Sequence, residues 1–158
     1  MDNIVIKFKK THPDAVIPSQ ANDTDAGYDL VAVTEGKDFY KDENGNMVYL
    51  YTEYDTGIAI EPPEGYHTEI VPRSSLTKKN LILKNSFGVI DNSYRGNLIC
   101  RFQKTGSENT PNVYIKGDKI AQLLIRKTLH AKFEEVNELS DTTRGTGGFG
   151  SSDNIRKF

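Results

Sequence analysis

Apolar and polar residues alternate with a period of two along much of the chain. Ile4, Ile6 and Phe8 interleave with Val5, Lys7 and Lys9. Tyr66, Thr68 and Ile70 interleave with His67, Glu69 and Val71, and Leu98, Cys100 and Phe102 with Asn97, Ile99 and Arg101. Successive side chains of a strand point to opposite faces, so each stretch reads as a strand with one buried face. Turn residues separate the stretches. Residues 42–46 lie between Phe39-Tyr40 and Met47-Val48-Tyr49-Leu50, and Asn44-Gly45 is expected to supply the positive φ angles of a tight hairpin. Pro62-Pro63-Glu64-Gly65 and Lys116-Gly117-Asp118 are expected to punctuate two more strand pairs.

Helical signals are scarce. Residues 74–80 suit one short turn after Pro72. Leu129, Phe133 and Val136 have helical spacing, but Ala131, Phe133 and Glu135 alternate, and the segment reads as a strand. Many short strands at close spacing predict an all-β fold: a sandwich, barrel or jelly roll with one short helical turn. No internal repeat or interdomain linker is visible. After Ser140 the composition turns rich in glycine and nearly devoid of apolar side chains. The expected organisation is therefore a core over residues 1–139 and a tail over 140–158 that is mobile when empty.

Composition narrows the class. A chain of 158 residues suits one domain with a real core, and 36% hydrophobic against 27% charged residues is a globular balance. The formal charge of -2 and the absence of a basic stripe argue against nucleic acid as partner. Cys100 is the only cysteine, so no intrachain disulfide forms and a reducing compartment is expected. Its place in an alternating stretch makes it a small core residue rather than a nucleophile. No signal-peptide run opens the sequence and no stretch approaches the ~20 apolar residues of a membrane span, so no membrane partner is expected. The expected location is the cytoplasm, or the cytoplasm or nucleus of a host cell for a viral protein.

Three segments carry candidate chemistry. The tail reads Arg144-Gly145-Thr146-Gly147-Gly148-Phe149-Gly150-Ser151-Ser152. Glycines let backbone N–H groups face an anion, Arg144 adds a forked donor suited to phosphate, and the serines add hydroxyls. Gly145 and Gly150 have the separation of a P-loop, but Ser151 stands where its lysine belongs. A flexible Gly/Ser linker is the commoner meaning of such composition; Phe149 and Arg144 favour a lid that stacks on a base and grips phosphate. The second segment is Pro72-Arg73-Ser74-Ser75-Leu76. A helical turn starting there would offer free N–H groups to an anion, but an ordinary serine N-cap beside a surface arginine is the favoured reading of this segment taken alone. The third runs from Asn85 to Gly96. Val89 and Ile90 lead into Asp91, which is either a base for water or a turn aspartate. There is no Gly-x-Ser-x-Gly elbow, and His12, His67 and His130 lack metal-ligand spacing.

Taken in order, five motifs resemble those of the trimeric dUTP pyrophosphatase (dUTPase) family. They are Asp25-Ala26-Gly27-Tyr28-Asp29-Leu30, Pro72-Arg73-Ser74-Ser75-Leu76, residues 85–98, Gly117-Asp118-Lys119-Ile120-Ala121-Gln122-Leu123, and the tail. The resemblance implies a jelly-roll or distorted-barrel subunit, a homotrimer with three shared sites, and hydrolysis of dUTP to dUMP and pyrophosphate with Mg²⁺ on the triphosphate. Such an activity limits uracil in DNA and supplies dUMP for dTMP synthesis.

Carried over by position, Asp91 would activate the attacking water. Asn85, with the backbone of Gly88, Val89 and Ile90, would read uracil, and Tyr94 would lie under the deoxyribose. Arg73, Ser74, Ser75 and Gln122 would hold phosphate oxygens. Arg144, Gly148, Gly150, Ser151 and Ser152 would close on the β- and γ-phosphates while Phe149 covers the base. Asp29 would act on Mg²⁺ through water. The sequence departs from the family where Ser93 replaces a frequent acidic residue and Ser75 a frequent glycine. The 35–54 stretch also looks longer than usual; it reads as a surface insertion, with a contact for another protein as the alternative. The rival functions are a dCTP deaminase of the same fold family and a nucleotide-gated regulatory binding protein.

Overall fold

The computed structural model describes residues 4–105 and 113–149. Nine strands form two antiparallel sheets. They are β1 (Lys7–Lys10), β2 (Tyr28–Val31), β3 (Thr34–Lys41), β4 (Met47–Glu61), β5 (Tyr66–Val71), β6 (Leu81–Leu83), β7 (Gly88–Ile90), β8 (Asn97–Lys104) and β9 (Lys119–Lys127). One sheet runs β1-β4-β8-β6 with β3 also paired to β4, and the other runs β2-β9-β5-β7. The expected short turn is a 3₁₀ helix over Ser74–Lys78. No helix among the described residues is long and apolar enough to cross a membrane.

On β5 and β8 the alternation read from the sequence is the alternation of burial, but the stretch over 4–9 is not the expected half-buried strand: β1 begins only at Lys7, and all four of its residues, Phe8 included, are exposed. Leu98, Cys100 and Phe102 on β8 are buried between exposed Ile99, Arg101 and Gln103, and Thr68 and Ile70 on β5 are buried likewise. The two inner faces share one core, to which Leu30, Ile70 and Leu123 come from one sheet and Ile58, Leu98 and Phe102 from the other. At its centre Tyr54, Phe102 and Tyr114 meet edge to face, with ring centroids 5.4–6.2 Å apart. Cys100 sits in this core, where burial pushes its thiol pKa up to about 12 and keeps it unreactive.

Strand β4 is long because it serves three neighbours, and it bends to do so. Its register against β8 shifts between Asp55 and Ala59, and Gly57 within the shift takes φ +64°. A Cβ at Gly57 would lie 2.6 Å from the His12 side chain, so both conformation and space demand glycine there.

Three further expectations are corrected. In the β3–β4 hairpin only Gly45, not Asn44, takes positive φ. The loop is five residues long, closed by Asp42 N–H on Asn46 O, and is not a two-residue turn. The 62–65 and 116–118 turns do not join paired strands. They carry the chain from one sheet to the other, since β4 and β8 belong to the first and β5 and β9 to the second. Residues 128–139 form no strand. Leu129 and Phe133 are 92% and 100% exposed, so the alternating pattern there has no sheet of its own chain to pack against.

Candidate active site

Strand pairing gathers the first group of candidate residues. Asp29 on β2 faces Gln122 on β9, which faces Val71 at the end of β5, two residues before Arg73. Asp29 is 4% exposed, and its carboxylate is engaged on both oxygens. Oδ1 accepts from Arg73 Nε at 2.9 Å and from Gln122 Nε2 at 3.4 Å; Oδ2 pairs with Lys119 Nζ at 2.8 Å. Burial raises the Asp29 pKa, but the Lys119 hydrogen bond and the Arg73 charge outweigh it, and the net shift is downward.

Arg73 Nη1 also donates to Ser75 Oγ and Lys119 O, both at 3.3 Å. Its Nη2 has no partner among the described residues, which leaves two N–H groups aimed by a fixed guanidinium. The 3₁₀ turn itself contributes little to anion binding. It spans only five residues, and its N-cap Arg73 makes no side-chain cap hydrogen bond, so the serine-cap reading fails as well. Ser74 is exposed at its start, where its carbonyl accepts from Thr77 Oγ1.

The second group lies around β7. Asn85 and Tyr94 line one open cavity of ≈ 430 Å³ together with Tyr51, Lys84, Ile99 and Arg101. The backbone leading into β7 is strained. Ser86 has φ +62°, and Phe87 N–H donates to Asn85 O at 2.6 Å across it, the pattern of a γ-turn. A Cβ at Gly88 would lie 3.2 Å from Asn85 Nδ2, so the bare backbone at 88 keeps room for that amide. Tyr94 folds over Gly96, where a Cβ would lie 2.3 Å from its hydroxyl, and donates to Asn97 O at 3.1 Å. Val89 is 56% exposed and Ile90 packs partly on the core.

Asp91 follows β7 directly. Its carbonyl accepts from Tyr94 N–H at 3.0 Å, so it opens a turn, but its exposed carboxylate has no partner among the described residues. The turn is anchored by residues the sequence reading passed over. Asn92 Nδ2 donates to Pro62 O, Pro63 O and Tyr66 O at 2.9–3.1 Å. Arg95 Nη1 donates to the carbonyls of Asn92 and Tyr94. Ser93 is exposed.

The two groups stay apart within one chain. Ile90 pairs with Thr68, three residues before Val71 on β5, and β7 is three strand spacings from β2. That separates the level of Asp91 from that of Asp29 by roughly 13 Å along the strands and 14 Å across them.

Residues 140–149, the described part of the tail, make no hydrogen bond to either group. Gly145 N–H donates to Thr142, Gly147 N–H to Arg144 O, and Arg144 Nε to Gly147 O at 2.8 Å, so the bonds of residues 140–149 are internal. Gly148 precedes a fully exposed Phe149, which takes φ +48°. Gly150, Ser151 and Ser152 lie outside the described residues.

Lys119, which pairs with Asp29, was not among the candidate residues. Lys119 stood in plain view beside the 116–118 turn, one residue from it, and a strand-end lysine so close to Gln122 was an available signal. Tyr51 and Arg101 come to the second group only through strand pairing and gave no local sign, whereas Lys84 directly precedes Asn85 in the chain.

A family profile described as dUTPase matches residues 14–153. A deoxyuridine 5'-triphosphate nucleotidohydrolase of Clostridium novyi is 40% identical over 145 residues, which cover 91% of this chain and 95% of that protein. One from Escherichia phage T5 is 37% identical over 153 residues, 94% of this chain and 98% of its own. Among solved structures, the Staphylococcus bacteriophage 80alpha dUTPase with dUPNHPP has the same fold, with a TM-score of 0.74 over 93% of this chain and 97% of that one at 24% identity.

Proposed function

This chain belongs to the dUTPase family, and we propose that it hydrolyses dUTP to dUMP and pyrophosphate in sites shared between the chains of a homotrimer. The observation that carries the reading is the division of labour between the two groups. One offers paired cations with spare donors; the other offers an open cavity lined by Asn85 and Tyr94, the latter on the turn that Asp91 opens with an exposed carboxylate.

In this reading Arg73, Ser74, Ser75 and Gln122 hold phosphate oxygens. Asp29 fixes Arg73 and Lys119 so that their remaining N–H groups point outward without reorganisation. Asn85 and the backbone of 88–90 read the uracil edge, and the ring of Tyr94 supports the deoxyribose. Asp91 takes a proton from water as its oxygen attacks the α-phosphorus. The bond from that phosphorus to the bridging oxygen breaks, and pyrophosphate leaves. An unpaired carboxylate on an anchored turn suits that task, because no ion pair must break before it accepts the proton.

Separation of the groups within one chain supports sharing of the site between chains. So does the row of exposed apolar side chains at Leu129, Phe133, Val136 and Leu139, which a neighbouring subunit would cover. Arg144, Gly148, Phe149, Gly150, Ser151 and Ser152 then close on a neighbour's bound nucleotide, and residues 140–158 act as a lid on a 1–139 core. Removing residues 141–158 is expected to abolish most of the activity while the core melts unchanged.

Mg²⁺ would ride on the triphosphate, where it neutralises charge on the leaving group. Direct ligation by Asp29 does not fit, since both oxygens are bonded and two cations flank them; its influence passes through water. The location that goes with this activity is the cytoplasm.

The reading is tested by incubating the protein with dUTP, dCTP, dTTP and UTP and Mg²⁺, measuring pyrophosphate and ammonia. Pyrophosphate from dUTP alone, with ¹⁸O from labelled water appearing in dUMP, is expected. Ammonia from dCTP, or ¹⁸O in pyrophosphate, would refute it.

A further inference from the structure

Strand β4 breaks its register with β8 between Asp55 and Ala59, and side chains reach across the break. Thr56 Oγ1 donates to Leu98 O at 2.9 Å, and the Asp55 carboxylate reaches Asn97, the first residue of β8. Four hydrogen bonds join four residues in a ring there. Gly57 N–H donates to Asp55 Oδ1 at 2.7 Å, and Asn97 Nδ2 donates to Asp55 Oδ2 at 2.8 Å. Thr11 Oγ1 donates to Asn97 Oδ1 and Thr11 N–H to Gly57 O, both at 2.8 Å. Both oxygens of Asp55 and both ends of the Asn97 amide are engaged. Residue 97 is therefore held from β4 and from the end of β1 at once.

What rests on this ring indicates its use. The Asn97 carbonyl accepts from Tyr94 Oη at 3.1 Å. Tyr94 lines the cavity beside Asn85 and is 43% exposed, yet its hydroxyl donates inward to the backbone. Gly96 has no Cβ to push the aromatic ring away from that position. A ring fixed only at its Cβ swings on two torsions, whereas one bonded to a strand at its far end does not swing without breaking that bond. Thr11, Asp55 and Asn97 do not line the cavity themselves, so any effect they have on a ligand passes through Tyr94.

We propose that Asn97, with Asp55 and Thr11, is a positioning residue for Tyr94 and sets how strictly the site admits deoxyribose and turns away ribose. The proposal rests on Tyr94 lying against the sugar. Ribose differs there by one hydroxyl, and a wall rejects that small bulk only if it does not yield, which requires a side chain locked from behind.

The test compares the wild type with Tyr94→Phe, Asn97→Asp and the exchange Asp55→Asn plus Asn97→Asp. Melting is measured for each, together with the ratio of kcat/KM for dUTP to that for UTP. The exchange keeps every bond: the amide at 55 accepts from Gly57 and donates to the carboxylate at 97, which still accepts from Thr11. Tyr94→Phe loses only the tether, and it is expected to lower the ratio about fivefold, the worth of one neutral hydrogen bond, at an unchanged melting temperature. Asn97→Asp sets two carboxylates face to face and should both melt lower and lower the ratio at least as far. The exchange should restore melting and ratio together, and it decides the matter even where Asn97→Asp alone does not fold. Tyr94→Ala is the control for the sugar contact and should lower the ratio most. A wild-type ratio in Tyr94→Phe, or an Asn97→Asp protein that melts lower with its ratio intact, would reduce the ring of bonds to scaffolding and overturn the proposal. So would an exchange that fails to fold, or that restores melting without the ratio. A wild-type ratio in Tyr94→Ala would instead take Tyr94 away from the sugar, and the reading beneath the proposal with it.

Discussion

The cationic cluster around Asp29 and the turn around Asp91 each hold one carboxylate, and they treat it in opposite ways. Asp29 is buried, ion-paired to Arg73 and Lys119 and hydrogen-bonded to Gln122. Asp91 is exposed, and its carboxylate has no hydrogen-bond or ion-pair partner among the described residues, although its backbone turn is tied down by Asn92 and Arg95. A carboxylate saturated with donors is a scaffold: it orients cations and gives up its own basicity. One held by its backbone alone keeps its lone pairs free, as the proposed role as base for water requires. Position beside a core does not tell these apart, but the hydrogen-bond inventory does.

The largest expected effect comes from Asp91. Asp91→Asn should lower turnover about a thousandfold while the dUTP analogue still binds and the melting temperature stays put. Loss of stability in that variant would mean that the carboxylate has a structural partner. Asp29→Asn should do the reverse in kind. It leaves two cations without their counter-charge, and because Arg73 and Lys119 still reach water the cost should be about 2 kcal/mol, read as a fall in the denaturation midpoint, with affinity weakened too.

The pH dependence sharpens the contrast. The folded pKa of Asp29 is depressed, so the stability it contributes is fully present above the ordinary carboxylate value of about 3.9. It is lost as pH falls from there through the lower folded value. Denaturation midpoints taken from pH 6 down to pH 3 should therefore fall more steeply for the wild type than for Asp29→Asn. Equal slopes would deny the carboxylate its ion-paired role. The smallest effect belongs to Asn92→Ala, which frees three backbone carbonyls from one amide. Turnover should drop about tenfold through a looser Asp91, with a stability loss of about 1 kcal/mol in chemical denaturation.

Much of the fold was legible in the sequence because one face of most strands is buried within the chain itself. Leu98, Cys100 and Phe102 alternate because β8 lies between two neighbours and over a core. Phe133 alternates equally well and is fully exposed, since alternation signals a face without saying which chain will cover it. The sheet-to-sheet turns were misread for a related reason: proline and glycine mark a reversal, not its destination. At the site, Arg73, Gln122 and Asp29 came together as their motifs implied. Asn92 was not legible as an anchor of the Asp91 turn, because its partners, the carbonyls of 62–66, lie far away in sequence.

The claim on which the account turns is that the two groups work together only across chains. Two inactive variants, Asp91→Asn and Arg73→Ala, each leave one group intact. Denatured together in equal amounts and refolded into mixed trimers, they should recover about a quarter of wild-type activity per site, because that share of sites draws Asp91 from one variant and Arg73 from the other. Mixed trimers as inactive as either parent would place both groups of a working site in a single chain and contradict the account.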